Sequence, residues 1–356
     1  LAELFARDAE QAEAQEFLAT LLPAGATLAS GQAGAWLEFL RAGEHLALEF
    51  VADAAAPAAQ GTRLAEERAA WRDDAVLFTS PGIALVTAGT APGDVAAALR
   101  TGEHVTTFLE QLFGAPRAGS QRLDVALYPT REEYLAGSAG GTGGFEGSLD
   151  WTGGHFDLGT SVSRLFVPAD DAERARLCAV QAHELTHHWL ATRSSLGPVR
   201  AAAETSGYWI VEGFALWVEE RVFDAERGFS NERRLQADSL DTLAAEGAPL
   251  LPWQHLLALS YEDYRALETR PTAELPLAWR LGTRTSRSPM QFFYAQAGAL
   301  AHWLWEAEGG AYRPLLLEAV RGYYAGEPLD LARATGLAPQ ELGPRVQAFA
   351  RATSTP

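Results

Sequence analysis

The sequence predicts an α+β protein, a mixed-sheet lobe carrying a His-Glu-x-x-His helix followed by a mainly helical C-terminal lobe. Three observations predict this. An apolar run from Gly82 through Val86 and the stretch from Leu123 to Tyr128 read as strands, and the segment between them, Asp94 to Phe113, has the periodicity of an amphipathic helix. From Leu135 to Thr160 the chain turns glycine-rich, as turns and sheet edges do. After Gly228 the apolar residues recur mainly at helical spacing.

Taken in order, residues 1–79 alternate helical stretches such as Glu3 to Leu22 with strand-like runs such as Trp36 to Leu40 and His45 to Val51. They form an N-terminal α/β segment without a chemical motif. Residues 80–228 are expected to form the α/β lobe. Within its glycine-rich stretch, Phe145, Leu149, Trp151 and Phe156 are spaced as anchors of an exposed edge strand able to receive an extended peptide. The next helix has a marked start: Asp170 can cap it, Glu173 completes the capping-box spacing and Pro168 lies just before. It is expected to run to about Thr192, and a second helix to cover Tyr208 to about Val222. Residues 229–356 form the helical C-terminal lobe, with helices over Pro252 to Leu259, Gln291 to Glu306 and Pro314 to Tyr324. No internal repeat is evident.

At 356 residues, 47% of them hydrophobic, the chain is long enough to bury a substantial core. A net charge of −18 repels phosphate backbones and anionic surfaces, so nucleic acid is not an expected partner. Every basic residue is Arg. The lack of Lys excludes a lysine Schiff base and the lysine-dependent phosphate loop that Gly140, Gly141, Gly143 and Gly144 superficially suggest. Cys178 stands alone, with no second thiol for a disulfide or a redox pair, and reads as a small buried residue on a helix. No apolar run approaches the roughly 20 residues needed to cross a bilayer. The chain opens on Leu1 rather than Met, and the expectation is of an exported or membrane-tethered bacterial protein from which a leader has been removed.

The chemistry concentrates in His183-Glu184-Leu185-Thr186-His187. A spacing of four on a helix puts both imidazoles on one face and pre-aligns two metal ligands. A catalytic zinc takes three protein ligands and keeps one position open, so a third donor must come from elsewhere. Glu212 is the candidate. It sits in Trp209-Ile-Val-Glu212-Gly-Phe-Ala215-Leu-Trp217, where a carboxylate among buried apolar residues is costly unless paired or metal-bound. Ala215, on the same helical face, leaves room for a close helix approach. Glu184, between the two His ligands, is the candidate base for activating water.

His183-Glu-x-x-His187 followed by Glu212-Gly-Phe-Ala215 resembles the gluzincin clan, to which the thermolysin and aminopeptidase N families belong. Closer still is the resemblance to peptidase-MA-like proteins, whose parts follow a similar order: Leu127-Tyr128-Pro129-Thr130, His183-Glu-Leu-Thr-His187, Trp209-x-x-Glu212-Gly-x-Ala215 and Tyr294-Ala-Gln. It covers roughly Val86 to Arg351. The resemblance implies a zincin-like metallopeptidase lobe with one Zn²⁺ per chain on His183, His187 and Glu212, Glu184 as general base, Tyr294 as oxyanion donor, and a peptide or protein substrate. Gly143-Gly144-Phe145-Glu146-Gly147 is distantly similar to the exopeptidase segment of aminopeptidase N relatives, which implies Glu146 as a binder of a substrate's free amine.

Glu219, further along the Glu212 helix, is a candidate for holding a ligating His through its other ring nitrogen. His188 is rotated off the metal face and reads as packing or support. Tyr294 also has a plain structural reading, as one of an aromatic stripe with Phe292, Phe293 and Trp303. Ala136-Gly137-Ser138-Ala139-Gly140 approaches a nucleophile elbow, but Ser138 follows a helical stretch rather than a strand. The alternative to an enzyme is a zincin-like fold that binds a peptide or envelope partner, with a structural or vestigial metal.

Overall fold

A computed structural model describes residues 75–80, 82–114, 122–139, 152–174, 176–193, 206–224, 228–233, 240, 250–269 and 289–353. The expectations for residues 1–74, for Phe145, Leu149 and Trp151, and for Glu146 lie outside the described residues. The chain divides into two compact units, Leu1–Trp189 with Phe223–Phe229, and Leu190–Val222 with Ser230–Pro356.

The first unit is built on a sheet. Its strands and helices follow as β1 (Val76–Thr79), β2 (Ile83–Thr87), α1 (Pro92–Phe113), β3 (Leu123–Tyr128), α2 (Arg131–Ala139), β4 (Gly154–Asp157) and β5 (Val162–Phe166). The order across the sheet is β1-β2-β3-β5-β4. The inner strands β2, β3 and β5 are parallel, while β1 and β4 pair antiparallel at the edges. This is the mixed sheet expected of an α+β chain. All five residues of β2 and of β5 are buried, which explains why both faces of these strands are covered and why β2 reads as an unbroken apolar run.

Close packing fixes the helices on the sheet. A Cβ on Gly102 of α1 would fall 1.3 Å from Ile83 Cδ1, so α1 needs glycine to lie against β2. Tyr134 of α2 is fully buried in a cluster with Tyr128, Ala126, Val162 and Phe166. Between β4 and β5 the turn is held by Asp157, whose Oδ1 accepts the Gly159 and Thr160 N–H groups at 2.8 and 3.3 Å. The other carboxylate oxygen pairs with buried Arg164 at 3.1 Å.

The helix expected from Asp170 to Thr192 forms in two pieces, α3 (Asp171–Arg174) and α4 (Leu177–Arg193). The Asp170 cap is present, with the Glu173 N–H bonded to Asp170 Oδ1 at 3.1 Å. The break follows from a tighter turn in which the Arg176 N–H reaches the Glu173 carbonyl, three residues back, at 2.9 Å. Residues 181–186 of α4 are buried without interruption, so this helix is wrapped rather than amphipathic there, whereas Cys178, expected to be buried, is only half-buried in its first turn. It crosses the unit boundary at Trp189–Leu190.

The second unit is helical. It holds α5 (Trp209–Glu219), α6 (Trp253–Ala258), α7 (Tyr261–Thr269), α8 (Pro289–Glu306), a 3₁₀ turn (Ala307–Gly309), α9 (Arg313–Ala325), α10 (Leu331–Thr335) and α11 (Pro339–Thr353). α5 stops at Glu219 rather than near Val222. Arg221–Asp224 instead becomes β6, which pairs with β7 (Gly228–Arg233), as its Val-Phe pair favours. Ten consecutive residues of α5, Trp209 to Val218, are buried. α5 lies against α8 at a point of small residues, where a Cβ on Gly213 would fall 2.6 Å from the Ala297 carbonyl oxygen. Among the described residues no helix is long and apolar enough to cross a membrane.

Candidate metal centre

His183 and His187 stand one turn apart on α4, and their Nε2 atoms face each other at 3.0 Å. His183 is buried and His187 half-buried. On α5, Glu212 is only 5% exposed in a wholly apolar stretch. His183, His187 and Glu212 each offer a donor atom, and those atoms lie within 4.8 Å of one another, a group able to hold a metal ion.

The donor chemistry fits that role. Two imidazole nitrogens turned towards each other can bond only if one carries a proton, whereas a cation lets both offer lone pairs. On a tetrahedral ion with bonds of about 2.0–2.1 Å, two nitrogens lie roughly 3.3 Å apart, close to the separation seen. The buried carboxylate supplies the negative charge that makes such a group more than a pair of rings in edge-to-face contact.

Glu212 is itself held. The Tyr208 hydroxyl, one helical turn earlier, donates to Glu212 Oε1 at 2.9 Å. Burial first, and the Glu212 charge second, push the Tyr208 pKa well up, so the phenol keeps the proton it donates.

Glu184, next to His183, is 9% exposed and points towards the sheet edge. Its Oε2 accepts the N–H of Phe156, in β4, at 2.8 Å. Gly153 and Gly154 keep the start of β4 slim enough for this approach, since a Cβ on either would meet Val180 or Leu165 side chains at 3.1 and 2.5 Å. The Phe156 ring stacks on His188 with centroids 4.6 Å apart. His188 turns to the sheet, its Nδ1 3.1 Å from Ser163 Oγ, and burial depresses its pKa to about 3. It lies off the face that carries His183 and His187, in a packing role.

A second polar pair supports the same strand. Tyr134 Oη lies 2.8 Å from His155 Nδ1. Burial raises the Tyr134 pKa, reinforced by the Glu184 charge, so the phenol stays protonated and donates. Burial, with the Arg164 charge, holds the His155 pKa down at about 4, leaving a neutral ring to accept.

Tyr294 is half-buried on α8, unlike its neighbours Phe292 and Phe293, which are fully buried in the core. Its hydroxyl lies 2.7 Å from that of Tyr264 on α7. Glu219 ends α5, half-buried, about 10 Å along the helix axis from Glu212. Sequence reasoning missed Tyr208, Tyr264 and the Phe156 amide. Tyr208 alone had a readable signal, a phenol four positions before a buried acid and so on the same helical face. No family model matches this chain, and no curated protein matches it.

Proposed function

We propose that this chain is a zinc-dependent peptidase of the gluzincin type with a zincin-like catalytic lobe, whose metal is held by His183, His187 and Glu212. The observation that carries the reading is the convergence of these three donors within 4.8 Å, beside an acid on the same helix turn as one of them. Two imidazoles and one carboxylate are the ligand set of a catalytic zinc, which leaves a coordination position open. When bound, zinc would supply a Lewis acid that polarises the scissile carbonyl and lowers the pKa of water.

The chain's own residues supply the rest. Glu184 takes the proton of the attacking water and returns it to the leaving amine, with its carboxylate aimed by the Phe156 N–H. Tyr294 donates its phenolic proton in a hydrogen bond to the oxyanion as the carbonyl becomes tetrahedral, a contribution of roughly 3 kcal/mol. Tyr264 holds the Tyr294 hydroxyl. An extended peptide runs along the β4 edge, and in an aminopeptidase Glu146 would take its free amine. An intact base beside the ligands favours catalysis over a structural metal, which needs no such acid.

Metal analysis of the purified full chain, combined with a peptide-library digest with and without chelator, tests this. Stoichiometric zinc and chelator-sensitive cleavage uphold it. Bound zinc without any cleavage would favour the binding-protein alternative, and no metal uptake would remove the proposal altogether.

A further inference from the structure

The phenol of Tyr208 is fixed from three sides before any ligand is considered. Gly207 has φ +102°, a conformation that L side chains rarely adopt, and this turn starts α5. The N–H groups of Gly207 and Tyr208 both reach the Leu259 carbonyl, at 3.1 and 3.0 Å. The Tyr208 ring then packs among Tyr261, Tyr264, Phe293 and Tyr323, with centroids 4.7 to 6.4 Å away. Backbone and ring are therefore set by the fold, and the hydroxyl has one direction, onto Glu212 Oε1.

A buried carboxylate can rotate about its last side-chain bond, and that freedom must be lost when it binds a cation. A rigid donor on one oxygen removes the freedom in advance and sets the plane of the group. We infer that Tyr208 is a positioning residue for the metal centre, which orients the Glu212 carboxylate through its hydroxyl and thereby strengthens zinc binding. This rests on the reading of Glu212 as a metal ligand. It goes beyond that reading in assigning part of the affinity to a residue that touches no metal.

The test is a zinc titration of the metal-free full-length protein against a chromophoric chelator, for the unaltered chain, Tyr208→Phe, Glu212→Ala and the double variant. The expected result is a 10- to 100-fold weaker affinity in Tyr208→Phe, the range in which partners of metal ligands act. Tyr208→Phe should cost nothing further once Glu212 is Ala, because its effect passes through that carboxylate. Tyr261→Phe, which removes a hydroxyl from the same ring cluster, serves as the control for loosened packing and should bind zinc like the unaltered chain.

Each outcome decides. If the unaltered chain binds no zinc, or Glu212→Ala binds it equally well, the metal-centre reading fails and this assignment with it. If those results stand but Tyr208→Phe keeps full affinity, or loses the same factor in both backgrounds, the positioning role alone is overturned. A metal-free Tyr208→Phe that no longer melts cooperatively overturns it too, since the hydroxyl would then serve the fold.

Discussion

The backbone N–H of Phe156 donates to Glu184 Oε2 at 2.8 Å, tying the outermost strand of the sheet to the acid that follows His183. The same residue lays its ring on His188, four positions along α4. One residue of β4 thus meets two successive turns of the helix. This explains how a four-residue edge strand is held beside the candidate centre without a long ladder.

For Glu184→Gln the bond predicts an intact fold and a lost reaction. A glutamine carbonyl still accepts the Phe156 amide, so the strand stays in place, but it cannot take a proton from water. Zinc content should stay near that of the unaltered chain while turnover falls at least about 100-fold, the scale of a lost general base. Parallel metal analysis and peptide cleavage check this. Undiminished turnover would falsify the mechanism.

His187→Ala and Glu212→Ala should instead purify without metal and bind added zinc only weakly, because each removes one donor from a set of three. Since zinc that binds only the folded chain adds stability, the unaltered protein should melt at a lower temperature after chelation and recover on adding zinc. The two variants should melt alike with and without zinc. Calorimetric scans would show it.

His155 predicts a pH dependence of stability. Its folded pKa is depressed from 6.5 to about 4, chiefly by burial. As pH falls through that window, the unfolded chain takes up a proton that the folded one refuses, so stability present above pH 6.5 is progressively lost. At about 1.4 kcal/mol per pH unit the loss amounts to about 3 kcal/mol by pH 4. In His155→Gln this part of the pH slope should vanish, which urea midpoints at pH 7 and pH 4.5 would reveal.

Of the inner strands, β2 was legible because burial on both faces leaves a continuous apolar run, Ile83 to Val86, and β3 because Leu123 to Tyr128 is apolar apart from half-buried Asp124; β5, with Ser163 and Arg164 at its centre, was not. The long helices α1 and α8 were legible from their periodicity. The His183 and His187 donors were readable because both sit on one helix at a fixed spacing, and Glu212 because an acid is conspicuous in an apolar run. Edge strand β4 was harder to bound, since Gly154-His155-Phe156-Asp157 has neither alternation nor length. What holds the donors was hardest of all. A backbone amide carries no sequence signature, and the contact between Tyr264 and Tyr294 spans thirty positions.

Gly213 yields the last prediction, and it concerns the residue next to the candidate ligand. A methyl group there would sit 2.6 Å from the Ala297 carbonyl oxygen, and a backbone atom cannot swing aside as a flexible side chain can. Gly213→Ala therefore forces α5 and α8 apart, against the intrinsic gain of replacing a helical glycine, which is worth up to about 1 kcal/mol. Overpacking of this kind costs about 1–3 kcal/mol, so the net effect should be destabilising. Displacing α5 also displaces Glu212, so zinc affinity should fall together with the melting temperature. Gly93→Ala on α1, where an added Cβ meets nothing within 4 Å, should lower neither. Melting curves and zinc titrations of the two variants, run side by side, separate a steric wedge at α5 from a general intolerance of alanine.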